Sequence, residues 1–178
     1  MNCRELEKLI DEYGDYIYSF CLKLTRDKNL AQELYQNTFL KAVEIQEKIE
    51  VKTAKNYIVG ISIKLWKNQK RKQAIRNKIA FFISSDDKDY VEKNIDMTDI
   101  ESDYIKEEEK NIVGSIIANM NDKIRIPIIM FYNLEMSIEE ISNILGIPKG
   151  TVKSRLNKGR SLVKESMLKE AGKCKKMI

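Results

Sequence analysis

The chain has 178 residues, 43% of them apolar, and its 32 Lys and Arg against 27 Asp and Glu give a formal charge of +5, so it can build one ordinary domain or two small ones with real cores. It has no histidine and three widely spaced cysteines, Cys3, Cys21 and Cys174, which excludes a complete disulfide framework and removes the commonest zinc ligand and general base. The longest stretch without a charge, Asn111 to Asn121, falls far short of the roughly 20 apolar residues of a membrane helix, and the sequence after Met1 is unlike a signal peptide, so the chain reads as soluble and cytoplasmic with reduced thiols.

Leu6, Leu9, Ile10, Tyr13, Ile17, Phe20, Cys21 and Leu24 recur at three- and four-residue intervals, the period of one helix face, and predict a first helix. The cluster Thr25 to Lys28 breaks it. Asn29, with Gln32 three residues on, can cap a second helix whose inward stripe is Ala31, Leu34, Tyr35, Thr38, Phe39 and Ala42. Gln32, Glu33, Gln36, Asn37 and Lys41 then lie elsewhere on its circumference. After the polar stretch Gln46 to Lys52, Thr53 can cap a third helix with Tyr57, Ile58, Ile61 and Leu65 inside. Its far end is basic: Lys64, Lys67, Lys70, Arg71, Lys72, Arg76 and Lys78 occur with no acid among them.

Phe81 to Asp99 shows no sustained period and reads as a linker. Asp86 to Glu109 holds eleven acids against Lys88, Lys93 and Lys106, so charge is segregated along the chain. The helical period returns with Ile105, Ile112, Val113, Ile116, Ile117 and Met120, and Asp122 can start a further helix in which Pro127 is tolerated near the first turns and otherwise produces a kink. With no strand-type alternation, the fold class is all-α: two small helical bundles, 1–78 and 101–178, joined by an acidic flexible linker at 79–100.

Ser137 followed by Glu140 is a capping-box pattern, and Ile138, Ile141, Ile144 and Leu145 make the apolar side of a short helix ending at Gly146. Pro148 has a helix-compatible dihedral, and Val152 and Leu156 resume the apolar stripe in a second short helix. Short helix, glycine turn, short helix is the helix-turn-helix layout, in which the second helix enters the major groove by its N-terminal half. Lys153 and Asn157 are four apart, as are Ser154 and Lys158, and both pairs lie away from Val152 and Leu156. Lys and Asn carry donors and acceptors for purine edges, while Arg155, Arg160 and Lys164 suit phosphates. Ten basic residues against Glu165 and Glu170 between 149 and 176 make this the second basic segment, and two such segments over helical apolar stripes point to polyanion binding.

The stretches LAQELYQNTFLKAV (30–43) and SIEEISNILGIPKGTVKSRLNKGRSLVKE (137–165) resemble the two conserved domains of extracytoplasmic-function sigma factors, the small promoter-specificity subunits of bacterial RNA polymerase. The resemblance spans about residues 8 to 75 and 108 to 168. It implies that Gln32, Glu33, Gln36 and Asn37 meet the polymerase clamp helices, with Gln36 at the family's glutamine and Asn37 where an acid is usual. It implies that the loop Gln46 to Lys52 and the third helix capture a flipped base of the minus-ten element, through Lys52, Tyr57, Lys64, Trp66, Lys67, Lys70 and Arg71. Aromatic and basic side chains are the right types for holding unstacked bases, although Tyr57 and Trp66 fit core positions equally well. Lys64 stands where the family often has asparagine.

In the second domain the resemblance assigns minus-thirty-five binding to Lys149, Thr151, Lys153, Ser154, Arg155, Asn157, Lys158 and Arg160, and a contact with the polymerase flap to the preceding helices. The acidic linker is similar to a family segment that threads the polymerase interior, and a solvated tether fits its composition as well. The implied partners are core RNA polymerase, promoter DNA and, as for many relatives, a membrane-anchored anti-sigma protein. A stand-alone dimeric regulator would need a dimer surface, and the chain shows no heptad run. An enzyme acting on nucleic acid would need a catalytic constellation, and there is no clustered Cys site, metal-ligand set, cofactor motif or glycine-rich phosphate loop.

Overall fold

Helix α1 (Cys3–Thr25) turns its three-and-four stripe inward, burying Leu9, Ile17, Phe20, Cys21 and Leu24. It stops where Arg26 takes a left-handed conformation, φ 59°, and the Thr25 hydroxyl donates back to the Cys21 carbonyl at 3.0 Å. Helix α2 (Lys28–Glu44) is capped by Asp27, whose carboxylate accepts from the Leu30 amide at 2.9 Å. The expected cap, Asn29, lies inside the helix instead; Asp27 is already extended at φ −147° and aims its side chain at the free amides.

The computed structural model describes residues 3–45, 50, 53–83 and 112–174. Lys52 and most of the loop 46–52, Ile105, and 84–100 of the expected linker lie outside the described residues, as do the side chains of Leu6, Cys3 and Cys174. Every regular element among the described residues is a helix, and the chain divides into two compact units, Met1–Ile95 and Asp96–Ile178.

In the first unit α3 (Ala54–Ile83) packs against both α1 and α2. Ala54, Ile58, Val59, Ile61, Ser62, Ile63 and Trp66 are buried, so the helix is enclosed on more than one side up to Trp66 and, but for half-buried Gln69, exposed from Lys67 to Ile79. Tyr57, expected inside, is 43% exposed: the period that buries Ile58 and Ile61 carries it to the outer edge. The helix also runs five residues past the expected bundle boundary at 78. The core contains one polar knot, in which the Thr38 hydroxyl lies 3.2 Å from that of Ser62 while each also reaches a carbonyl one turn back, Leu34 at 2.7 Å and Ile58 at 3.0 Å. The Cys21 thiol shares this interior, and burial pushes it up to about 12 despite a hydrogen bond with Ser62.

In the second unit, α4 (112–118) leads to α5 (Asp122–Tyr132), capped by Asn121. Pro127 is the sixth residue of α5, beyond the first turn, so it denies the Lys123 carbonyl its i+4 amide partner, and it is buried along with Ile126, Ile128, Ile129 and Met130. Arg125 is fully buried and bonds to Asp122 at 2.6 Å. The capping box of α6 (Ile138–Leu145) is present, the Ser137 hydroxyl accepting from the Glu140 amide and the Glu140 carboxylate from the Ser137 amide. Gly146 closes α6 at φ 65°, ψ 39°, a conformation that glycine adopts without the cost a Cβ would impose.

Candidate nucleic-acid interface

Three residues, 146–148, separate α6 from α7 (Lys149–Cys174). The Pro148 carbonyl accepts from the Thr151 and Val152 amides, and the Ser142 hydroxyl donates to the Ile147 carbonyl at 2.6 Å, locking the turn. The second helix of the hairpin is therefore present but not short: it continues for 26 residues.

Val152 and Leu156 are 0% and 2% exposed, and Gly159 completes the buried stripe at i, i+4 and i+7. A Cβ on Gly159 would lie 2.6 Å from Ile128 Cδ1 and 2.7 Å from Cγ1, so this glycine sets how closely α7 approaches α5. That role was not read from the sequence; a glycine extending the i, i+4 stripe by three was the signal available.

Opposite this stripe Lys153, Ser154, Asn157, Lys158 and Arg160 are exposed, while Thr151 and Arg155 are half-buried. Ser154 donates its hydroxyl proton to the Thr151 carbonyl at 3.0 Å, leaving an acceptor outward. Exposed Lys149 bonds to Glu139 on α6 at 2.8 Å, a surface pair that holds its ammonium beside the turn and contributes little stability. Arg160 donates through Nε to the Tyr132 hydroxyl at 2.7 Å and through Nη1 to Asn157 Oδ1 at 3.4 Å. Farther along α7, a hydrogen bond from Lys169 holds Glu165 below the usual carboxylate range.

In the first unit Lys64, Lys67, Lys70 and Arg71 are exposed on α3, as is Tyr57. Trp66 differs: it is 5% exposed and Lys70 Nζ sits 5.2 Å from its ring centroid. Its ring offers no open face to a base, and it anchors the helix in the bundle. Lys52 lies outside the described residues. On α2, Gln32, Glu33, Gln36 and Asn37 are all exposed, with Leu40 62% exposed and Val43 46% exposed beside them. Among the described residues no group of three His, Cys, Asp or Glu side chains could hold a metal ion, and no helix is long and apolar enough to cross a membrane.

Comparison with known proteins matches residues 9–75 to the model for sigma-70 region 2 and residues 110–163 to that for sigma-70 region 4. The chain is 25% identical over 166 residues to the ECF RNA polymerase sigma factor SigW of Bacillus subtilis, covering 89% of this chain and 87% of the relative. It is 24% identical over 159 residues to SigM of the same organism, covering 89% and 93%. Among solved structures, the sigma factor RpoE in complex with the anti-sigma factor NepR from Bartonella quintana superposes with a TM-score of 0.75 at 20% identity, over 90% of this chain and 95% of that one. CnrH in complex with the cytosolic domain of CnrY gives 0.63 at 15% identity, over 96% and 90%. These two likenesses concern the fold.

Proposed function

Because this chain belongs to the extracytoplasmic-function group of the sigma-70 family and is an RNA polymerase sigma factor directing promoter-specific initiation, we propose that its two helical units divide promoter recognition between them. The unit built on α5, α6 and α7 reads the minus-thirty-five element. Lys153, Ser154, Asn157 and Lys158 meet base edges, and Lys149, Thr151, Arg155 and Arg160 meet the backbone. The observation that carries this reading is the two-sidedness of α7: Val152, Leu156 and Gly159 are buried while the basic and amide side chains point to solvent. A helix presented this way fits a major groove.

The first unit binds the minus-ten element and the polymerase. Tyr57, Lys64, Lys67, Lys70 and Arg71 supply one exposed aromatic and four cations for an unstacked base and its phosphates, and Lys52 belongs to the same assignment. Gln32, Glu33, Gln36 and Asn37, with the exposed apolar Leu40 and Val43, form the α2 surface that meets the clamp helices. The protein has no catalysis of its own and acts in the cytoplasm with core polymerase. RpoE and CnrH have each been captured with a partner, which supports an anti-sigma partner for this chain.

The test is initiation by the reconstituted holoenzyme on promoters differing singly in the minus-thirty-five element. Lys153→Ala and Asn157→Ala each remove preference at one or two positions, roughly 1–3 kcal/mol per lost base contact. Equal losses on every promoter would contradict base reading by α7.

A further inference from the structure

Tyr132 is the last residue of α5, 53% exposed, and is not among the residues assigned to DNA or polymerase. We propose that it is a positioning residue of the DNA-reading surface, holding Arg160 so that Arg160 in turn orients the side-chain amide of Asn157; this rests on the reading of α7 given above.

The Tyr132 hydroxyl accepts from Arg160 Nε at 2.7 Å. The guanidinium carbon lies 5.8 Å from the ring centroids of both Phe131 and Tyr132, and the two rings meet edge-on, 5.1 Å apart at 77°. A long exposed arginine ordinarily samples many rotamers, and ordering it costs entropy when DNA binds. Here two ring contacts and one hydrogen bond order it beforehand. Of the five guanidinium donors, Nε–H goes to Tyr132 and one Nη1 hydrogen to Asn157, leaving three for a phosphate.

The second consequence concerns specificity. Arg160 can only donate, so the Asn157 atom it faces at 3.4 Å is the amide oxygen. This contact takes one of the two Oδ1 lone pairs and turns the oxygen toward Arg160, so Asn157 meets the groove chiefly through its two Nδ2 hydrogens. Donors alone match acceptor edges, guanine N7 and O6 or thymine O4, whereas bidentate adenine recognition needs the oxygen as well. Tyr132, on another helix, thereby biases the base chosen by Asn157.

The experiment uses full-length protein with core polymerase on a promoter library whose minus-thirty-five hexamer is randomised, with transcripts sequenced for the wild type and for Tyr132→Phe, Arg160→Ala, Asn157→Ala and Tyr132→Phe/Arg160→Ala. Tyr132→Phe keeps the ring and removes only the acceptor. It lowers output from the best hexamers about threefold to tenfold, the scale of one ordinary net hydrogen bond at an exposed site. It also relaxes the guanine or thymine preference toward adenine at the position that Asn157→Ala flattens, and adds nothing to Arg160→Ala. If Arg160→Ala and Asn157→Ala change hexamer preference while Tyr132→Phe behaves as wild type, the positioning role is overturned and the reading of α7 stands. A uniform loss with Tyr132→Phe, preference intact, overturns the link to Asn157. If neither Arg160→Ala nor Asn157→Ala alters preference, the reading of α7 fails and this inference with it.

Discussion

Gly159→Ala sets two helix effects against each other. Alanine is the better helix former by roughly 0.5–1 kcal/mol, so at an open position the change would stabilise α7. At this position the added methyl would lie 2.6 Å from Ile128 Cδ1, 2.7 Å from Ile128 Cγ1 and 3.3 Å from Ile124 Cγ2. Rotation about χ2 can withdraw the Cδ1 atom. The Cγ1 atom moves only with χ1, which is stiff for a β-branched residue in a helix, and Ile128 is itself buried. Overpacking of this kind costs about 1–3 kcal/mol. Taking the middle of each range, the sum is a net destabilisation of about 1 kcal/mol, borne by the unit that holds α5 and α7. Urea unfolding separates the units, because the single tryptophan, Trp66, lies in the first and circular dichroism reports on both. Gly159→Ala lowers the midpoint seen by circular dichroism and leaves the tryptophan transition in place. Ile128→Ala alone leaves a cavity, and combined with Gly159→Ala it costs less than the sum of the two by about 1 kcal/mol, since the new methyl enters the vacated space. A Gly159→Ala protein as stable as the wild type would refute the claim that this contact sets the helix spacing.

Cys21 gives a pH-dependent prediction. Its thiol is raised from 9.0 to about 12 in the folded protein, so the folded state keeps a proton that the unfolded chain releases. The contribution is fully present below about pH 9 and is lost as pH rises toward about 12, with a slope near 1.4 kcal/mol per pH unit. Urea titrations of wild type and Cys21→Ala converge over that range, and parallel curves would contradict the assignment. Ser137→Ala removes the hydroxyl that accepts from Glu140 N and lowers stability by about 0.5–2 kcal/mol, again in the circular dichroism transition and not in tryptophan fluorescence.

The helical period made α1, α2 and the hairpin legible, because each buries a single face, and the hairpin also marks its ends with Ser137, Gly146 and Pro148. It located α3 but misassigned Tyr57: where a helix is buried on several sides the pattern loses its contrast, and two neighbouring residues one step apart compete for the inside. The α2 cap was misread for a local reason. Asn29 and Asp27 are both good caps, and the left-handed Arg26 that decides between them has no mark in the sequence. On the site, the polar face of α7 followed from spacing alone. The Gly159–Ile128 approach and the Tyr132–Arg160 bond did not, because each joins residues about thirty positions apart on different helices.

Run-off transcription with bacterial core polymerase, with and without this protein, on promoter fragments from its own genome tests the central claim most directly. Start sites that appear only when the protein is present, share a minus-ten and a minus-thirty-five sequence, and weaken without moving when Gln36→Ala replaces the wild type are the predicted result. No new start sites, together with tight binding of the protein alone to duplex DNA, would contradict it.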